Sequence, residues 1–533
     1  MAQKKSLARV ALLCGCMAAA TPVAAQDPAA GPTVTVSGFR VNGNTLLSPA
    51  QLDAALAPFV GRRSFADLER AAAAVQALYA QAGYGAVVAF LPPQAATDGE
   101  VEISVVEGRI ASISVRGAQR YSEAQLRASL PALQVGQTPA MKRIDAQLQM
   151  ANENPAKQTQ VLLQPGARRG EVEAQITVEE RPLQRWTLGL DNTGNERTGE
   201  LRANLGWQHA NIGGRDDVLS AQFQTSPDKP DRVKVLSVGY RQPLYAHLLV
   251  LDAHAAFSDV DGGSTATAAG DLRFNGRGRL FGLRASWILP RWGSADQRLV
   301  VGLDQRTYLN DCAISGLPAG ACGSAGESVA LQPLALEYAL QAAGAVAWGL
   351  NLALASNLQL GGDHAGAADF NDVRAGARPR YTAWRASGFA STAVFEDWQL
   401  KLRFAGQWSG DALVPGEQFG IGGAASVRGY AERELVGDRG GLVTVELGTP
   451  PLGGEAGPAL RLSAFADAGA VHNLLDTPCQ AGRTRCTLAA VGVGALVGAG
   501  STQLRVQLAQ ALRVGAATSK HAVRAHVALR HSF

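Results

Sequence analysis

From about Pro182 to Phe533 apolar and polar residues alternate. Trp186, Leu188 and Leu190 interleave with Arg185, Thr187, Gly189 and Asp191. Leu201, Ala203, Leu205 and Trp207 interleave with Arg202, Asn204, Gly206 and Gln208, and Leu219, Ala221 and Phe223 with Ser220, Gln222 and Gln224. A period of two predicts strands with one apolar and one polar face. Asn/Asp/Gly-rich turns at 211–217 and 259–264 separate the runs. At the end, Val523, Ala525, Val527, Leu529, His531 and Phe533 share one face. Upstream the spacing is helical: Leu68, Ala72, Val75 and Tyr79 recur at three- and four-residue steps.

The upstream part is a repeat. Val41-x-Gly43, Ser48 and Leu52 recur as Val115-x-Gly117, Ser122 and Leu126, and Gly99-Glu100-Val101-Glu102 recurs as Gly170-Glu171-Val172-Glu173. In the first copy Val34 to Val41 reads as a strand, and Ser48 caps a helix beginning at Pro49. Ser64 with Asp67 opens a second helix, and Gly85–Leu91 and Val101–Val106 are strands. The second copy, Ala111 to Glu179, keeps this β-α-α-β-β order, with Pro155 ending its second helix. The expected organisation is a first module at 33–108, a second at 109–181 and a strand-rich domain at 182–533.

Composition says where the strands sit. Charged residues are 18% of the chain, and there are 60 glycines in 533 residues. Low charge and high glycine, with no apolar run of the ~18 residues a spanning helix needs, point to a membrane crossed by strands. Leu340–Ala355 comes nearest, broken by Gln341, Gly344, Gly349 and Asn351. Residues 182–533 allow about 22 per strand and turn at sixteen strands, and a crossing strand needs ~9–11. Sixteen is expected, with twelve or eighteen open. The net charge of +4 gives no nucleic-acid footprint.

Residues 1–25 read as a secretory signal: basic Lys4, Lys5 and Arg9, an apolar Val10–Ala20, and a Val23-Ala24-Ala25 cleavage site. Acylation at Cys16 of Leu13-Cys14-Gly15-Cys16 ranks below ordinary cleavage. Cys14 and Cys16 leave with that segment. The other four fall in close pairs, Cys312 with Cys322 and Cys479 with Cys486, each in a Gly/Pro/Ser-rich stretch of an exported chain, so both are expected as loop disulfides. Neither spacing fits zinc.

One segment is unusually specific. Phe419-Gly420-Ile421-Gly422-Gly423 leads into Ser426-Val427-Arg428-Gly429-Tyr430, within a glycine-rich stretch at about 411–440. It lies between strand-like Trp398–Trp408 and Gly441–Leu447. Later, Phe465-x-Asp467-x-Gly469 faces opposite to Leu462, Ala464, Ala466 and Ala468, which points Asp467 into the lumen.

The β-α-α-β-β copies with Val41-Asn42-Gly43-Asn44 resemble polypeptide-transport-associated (POTRA) domains; the second has Ala118 in place of the Asn. VRGY at 427–430 followed by FADAG at 465–469 resembles the paired motifs of two-partner secretion transporters (TpsB, the hemolysin-activator ShlB/FhaC/HecB family). The fold implied is two α+β periplasmic modules and an all-β outer-membrane barrel. A long extracellular loop would fold back inside, with Arg428 meeting Asp467. Structural latch and gate remain equal readings of that pair. Terminal Phe533 resembles the signal read by outer-membrane assembly machinery, which would insert the barrel among outer-membrane lipids. Gln26–Thr33 is too short for the plug helix that some members carry, which leaves the fold-back loop as plug.

The implied cargo is an adhesin- or hemolysin-like exoprotein with an N-terminal secretion domain, captured by strand addition to a POTRA edge. Passive spacing is the alternative for those modules. The rivals are a barrel-assembly insertase of the same superfamily and a passive porin. No Walker A, G-x-S-x-G or H-E-x-x-H sequence occurs, the eight histidines are scattered, and Glu179-Glu180 reads as domain-end surface charge. No enzyme, cofactor, metal or nucleic-acid partner is expected.

Overall fold

The computed structural model describes residues 33–94, 99–267, 270–314, 322–395, 397–453 and 458–533. The expected signal peptide, with Cys14 and Cys16, and the stretch Gln26–Pro32 lie outside the described residues.

In the first module Gly38–Asn42 runs parallel to Glu100–Glu107, which pairs antiparallel with Val87–Phe90. Helices Pro49–Leu56 and Phe65–Ala82 cover one face, packing Leu52, Leu56, Val75 and Tyr79 on Val87, Ile103 and Val105. The second helix starts where the sequence marks it. The Ser64 backbone N–H donates to Asp67 (2.8 Å), and Gly83 closes the helix at φ 101°. The strand expected over Val34–Val41 is two. The Ser37 N–H leaves the ladder to donate to the Gly99 carbonyl (2.8 Å), and the residues before it, Thr33–Val36, pair with Gly61–Ser64 instead.

The second module repeats the order with strands Arg109–Arg116, Lys157–Pro165 and Glu171–Glu180 and helices Glu123–Ala128 and Met141–Asn152. Its sheet also has the last strand in the middle. The repeated V-x-G has a physical reason. Gly43 and Gly117 sit at φ 86° and 84°, and a Cβ on either would strike the carbonyl oxygen of Val105 or Val178.

A carboxylate pins the turn that follows each glycine. Glu107 accepts the N–H groups of Thr45 (2.7 Å) and Leu46 (3.1 Å) and the Tyr79 hydroxyl (2.9 Å). Glu180 accepts the N–H groups of Gln119, Arg120 and Tyr121 (3.0, 2.6 and 3.1 Å). Glu180 is therefore a structural clamp rather than idle surface charge. Burial alone would raise both carboxyls, but these donors outweigh it and hold them below the usual carboxylate range.

From Gln184 to Ser532 the chain closes an antiparallel barrel of sixteen staves, the eighth being Val329–Leu331 and Pro333–Ala342 together, interrupted at Gln332. The alternation resolves into faces as expected. Trp186, Leu188, Leu190, Phe223, Leu402, Phe404 and Leu529 stand on the exposed apolar exterior. Gln407, Asp467, Gln507 and His526 lie buried on the inner face. Among the described residues no helix is long and apolar enough to cross a membrane.

The first and last staves meet over five register pairs, Thr187–Asp191 with Ala528–Ser532, extended by reciprocal backbone bonds between Trp186 and Phe533. Beyond Asp191 the Asn192 side chain continues the seam, bonding the Val527 N–H and the Ala525 carbonyl (both 2.9 Å).

Candidate functional site

After stave Trp398–Ser409 the chain turns back into the lumen, returning as stave Arg439–Gly448. This loop carries a small hairpin, Phe419–Ile421 on Leu435–Gly437. Its tip needs glycine. Gly429 has φ 89°, and its N–H donates to His526 Nε2 (3.1 Å) while its backbone lies against Ala509. Ser426 Oγ closes the turn before it, accepting the Gly422 N–H (2.9 Å).

Arg428 ends this turn, 2% exposed against an Asp467 that is 3% exposed. Its Nε and Nη2 donate to the two Asp467 oxygens, both at 2.7 Å, and its backbone N–H adds a third bond at 3.0 Å. Nη1 reaches Glu446 (2.9 Å), and the guanidinium lies 3.3 Å from the Phe465 ring centroid. Fork-on-fork pairing with a stacked ring uses Arg geometry that Lys lacks. Val427 and Tyr430 are fully buried in a core with Ile421, Leu435 and Leu488. The Tyr430 hydroxyl lies between the Ala489 carbonyl (2.8 Å) and the Arg513 N–H (3.1 Å). Gly469 faces Val427 and Ile421, where a Cβ would crowd both.

Sequence reasoning missed the rest of the anchorage. Glu417 lies 2% exposed between Arg306 (2.6 Å) and Arg385 (2.9 Å) of two inner-wall staves. Asp438 has no exposed surface. It takes Arg374 as a bidentate partner and the N–H groups of Leu413 and Leu474 (2.9 and 2.8 Å). Glu434 caps the 512–522 loop, accepting the Ala517 and Thr518 N–H groups (both 2.9 Å). Of the missed acids only Glu446 left a signal, since it faces inward with Thr444 and opposes Phe465 in register.

The four cysteines pair as Cys312–Cys322 and Cys479–Cys486, with Cα atoms 6.0 and 6.2 Å apart. Cys486 belongs to the same core as Tyr430. Phe533 ends the chain at the seam, stacked near His531.

The second module is bolted to the barrel rim. Lys157, with no exposed side-chain surface, pairs with Asp216 of the 210–217 turn, and the Tyr245 hydroxyl donates to that carboxylate (2.7 Å). The Tyr121 hydroxyl donates to the Ala210 carbonyl (3.0 Å), which also receives Asn154 Nδ2 (2.8 Å). Glu153 reaches inside to Arg241 and Arg298. Burial pushes the Lys157 ammonium down, and Asp216 opposes that push. Each three-stranded sheet has two edge strands, Val87–Phe90 being one in the first module and Lys157–Pro165 one in the second. Gln76 Oε1 accepts the Ala89 N–H (3.3 Å) of the former, and Asn152 holds both backbone groups of Thr159 (2.6 and 2.9 Å) in the latter. Beside the first edge a cavity of about 560 Å³ runs along helix Phe65–Ala82, lined by Phe65, Ala73, Gln76 and Phe90.

Comparison with known proteins agrees with this architecture. Residues 170–497 match the family described as haemolysin secretion/activation protein ShlB/FhaC/HecB, and residues 34–108 match the ShlB-type POTRA domain. The chain is 26% identical over 470 residues to the outer membrane transporter CdiB of Escherichia coli O6:K15:H31, covering 85% of this chain and 75% of that one. The solved structure of CdiB from Escherichia coli superposes with a TM-score of 0.82 at 22% identity, over 97% of this chain and 93% of that one. BamA from Haemophilus ducreyi lacking POTRA domains 1–3 is more distant, at TM-score 0.51 and 14% identity over 94% and 100% of the two chains. The chain belongs to the ShlB/FhaC/HecB family: it is an outer-membrane transporter, with its POTRA modules in the periplasm.

Proposed function

We propose that the cargo is a secreted exoprotein, adhesin- or hemolysin-like, whose N-terminal secretion domain is captured by strand addition on a POTRA edge strand and then threaded through the barrel. The observation that carries this reading is the fold-back loop held in the lumen by Arg428–Asp467, and the edge strands of the modules supply main chain to which an extended segment could add. A sheet edge recognises main chain and tolerates varied side chains, which suits an unfolded substrate. We assign Arg428 and Asp467 as the loop's latch and gate, and Val427, Gly429, Tyr430, Phe465 and Gly469 as its seat. Phe533 is assigned as the signal read by the assembly machinery that places the barrel among outer-membrane lipids. Direction comes from folding of cargo outside, without an enzymatic step.

The test compares secreted proteins and outer-membrane profiles of wild-type and deletion cells. Loss of one or two large exoproteins with unchanged membrane profiles is expected. Broad loss of barrel proteins would make it an insertase, and no change in either would return the reading to a passive pore.

A further inference from the structure

Three neighbouring cavities line the lumen around the fold-back loop, and their walls are unequally charged. A cavity of about 610 Å³ lies between the loop tip and the wall. It shares Phe389, Arg403 and Ala425 with a second cavity of about 770 Å³ that reaches Glu153 and Arg298 at the periplasmic rim. It shares Asp191 and Ala528 with a third of about 680 Å³.

Among the described residues these three cavities are lined by seven Lys or Arg and four Asp or Glu. The carboxylates are engaged. Glu446 accepts from Arg428, Glu153 from Arg241 and Arg298, Asp296 from Arg291, and Asp191 from the Thr193 N–H and hydroxyl. Five of the cations make no salt bridge to a carboxylate among the described residues: Arg185, Lys401, Arg403, Arg505 and Arg530. Stave alternation fixes their direction. Lys401 and Arg403 share a face with Gln407, which bonds the fold-back loop from inside; Arg505 shares a face with Gln507, and Arg530 with His526.

We propose that the lumen is an anion-selective conduit, its five unpaired cations drawing small anions in and excluding cations. Fixed charge of one sign along a low-dielectric wall focuses its field into the water it encloses, and a ring of Arg and Lys is a known means of selecting anions. The inference stands apart from the identity of the cargo, because it concerns the wall alone.

The experiment uses the full chain, purified and inserted in planar bilayers with a tenfold KCl gradient. The reversal potential is expected on the chloride side. The triple variant Lys401→Glu, Arg403→Glu, Arg505→Glu should carry it to the potassium side. Heat-modifiable electrophoretic mobility reports whether the triple folds, and if it does not, Arg505→Gln alone should still move the potential toward zero. A wild-type reversal at zero or on the potassium side overturns the proposal. So does a silent membrane, or a folded variant with the wild-type potential.

Discussion

Arg428→Ala leaves Asp467 buried without a guanidinium. The variant keeps the backbone N–H bond but deletes two charge-assisted bonds at 2.7 Å, a third to Glu446 and the stack on Phe465. Losing one partner of a buried pair costs ~3–5 kcal/mol, and water entering the lumen moves the value toward the lower end. At about 1.4 kcal/mol per tenfold, even 3 kcal/mol multiplies the undocked tip population by more than a hundred. The loop's other anchors, at Glu417, Asp438 and Glu434, are untouched, so the tip around 422–430 should lift while the base stays. A cysteine at Ser426 reports this through its labelling rate by a membrane-impermeant maleimide, faster by at least tenfold in the Ala variant. Arg428→Lys should fall between, because it keeps charge and loses the fork. The double variant Arg428→Ala, Asp467→Asn should label more slowly than Arg428→Ala alone, because the stranded charge is gone. Equal labelling of Ser426→Cys with and without Arg428 refutes the latch, and cargo secretion at wild-type level refutes the gate.

Three further outcomes are expected. Lys157→Ala strands Asp216 at the module–barrel junction and should make the 109–181 module markedly more protease-sensitive at 25 °C without unfolding the barrel, by limited proteolysis read against heat-modifiable mobility. Glu107 and Glu180 have carboxyls lowered in the folded state, so their stabilisation is full above the unfolded value near pH 4.3 and is lost as pH falls through the lower folded value. Far-ultraviolet melts should therefore lose POTRA stability as pH falls below the unfolded carboxylate value, and Glu107→Gln should flatten that dependence. Replacing Cys479 and Cys486 by Ser frees the 473–484 loop beside the Tyr430 core and should raise labelling at Ser426→Cys by a smaller factor than Arg428→Ala does.

What sequence could show follows from how each feature is encoded. The barrel was legible because lipid outside and water inside force period two on every stave, as Leu402 and Phe404 against Lys401 and Arg403 illustrate. The POTRA repeat was legible because Gly43 and Gly117 occupy a conformation that a Cβ forbids. Glu417, Asp438 and Glu434 were illegible for the opposite reason. Each is a lone acid in an irregular loop, and its partners lie far along the chain. For Glu417 they are inward arginines of two staves, Arg306 being 111 residues away; for Asp438, Arg374 beside a short loop helix; for Glu434, backbone N–H groups of the 512–522 loop. The split at Ser37 was hidden because one hydrogen bond to Gly99, not a change of residue type, divides the strand.

The missed anchors change how the loop and the periplasmic module relate. Glu153 of the module and Glu417 of the loop load the same stave, Ala295–Ile314, at Arg298 and Arg306, eight residues apart. Between them Asp304 holds Arg306 (2.6 Å) and, on the next stave, Arg284 (2.8 Å). Moving the module must release or drag Arg298, and any shift of that stave is felt by Arg306, whose second carboxylate partner is the loop. Spatial contiguity alone does not establish coupling, so the deciding quantity is an interaction energy between the two ends. Glu153→Gln and Glu417→Gln should each raise labelling at Ser426→Cys, and the pair should raise it by less than the product of the single effects. Multiplicative effects would mean that the stave holds module and loop independently, so that moving the module leaves the loop's anchors unchanged.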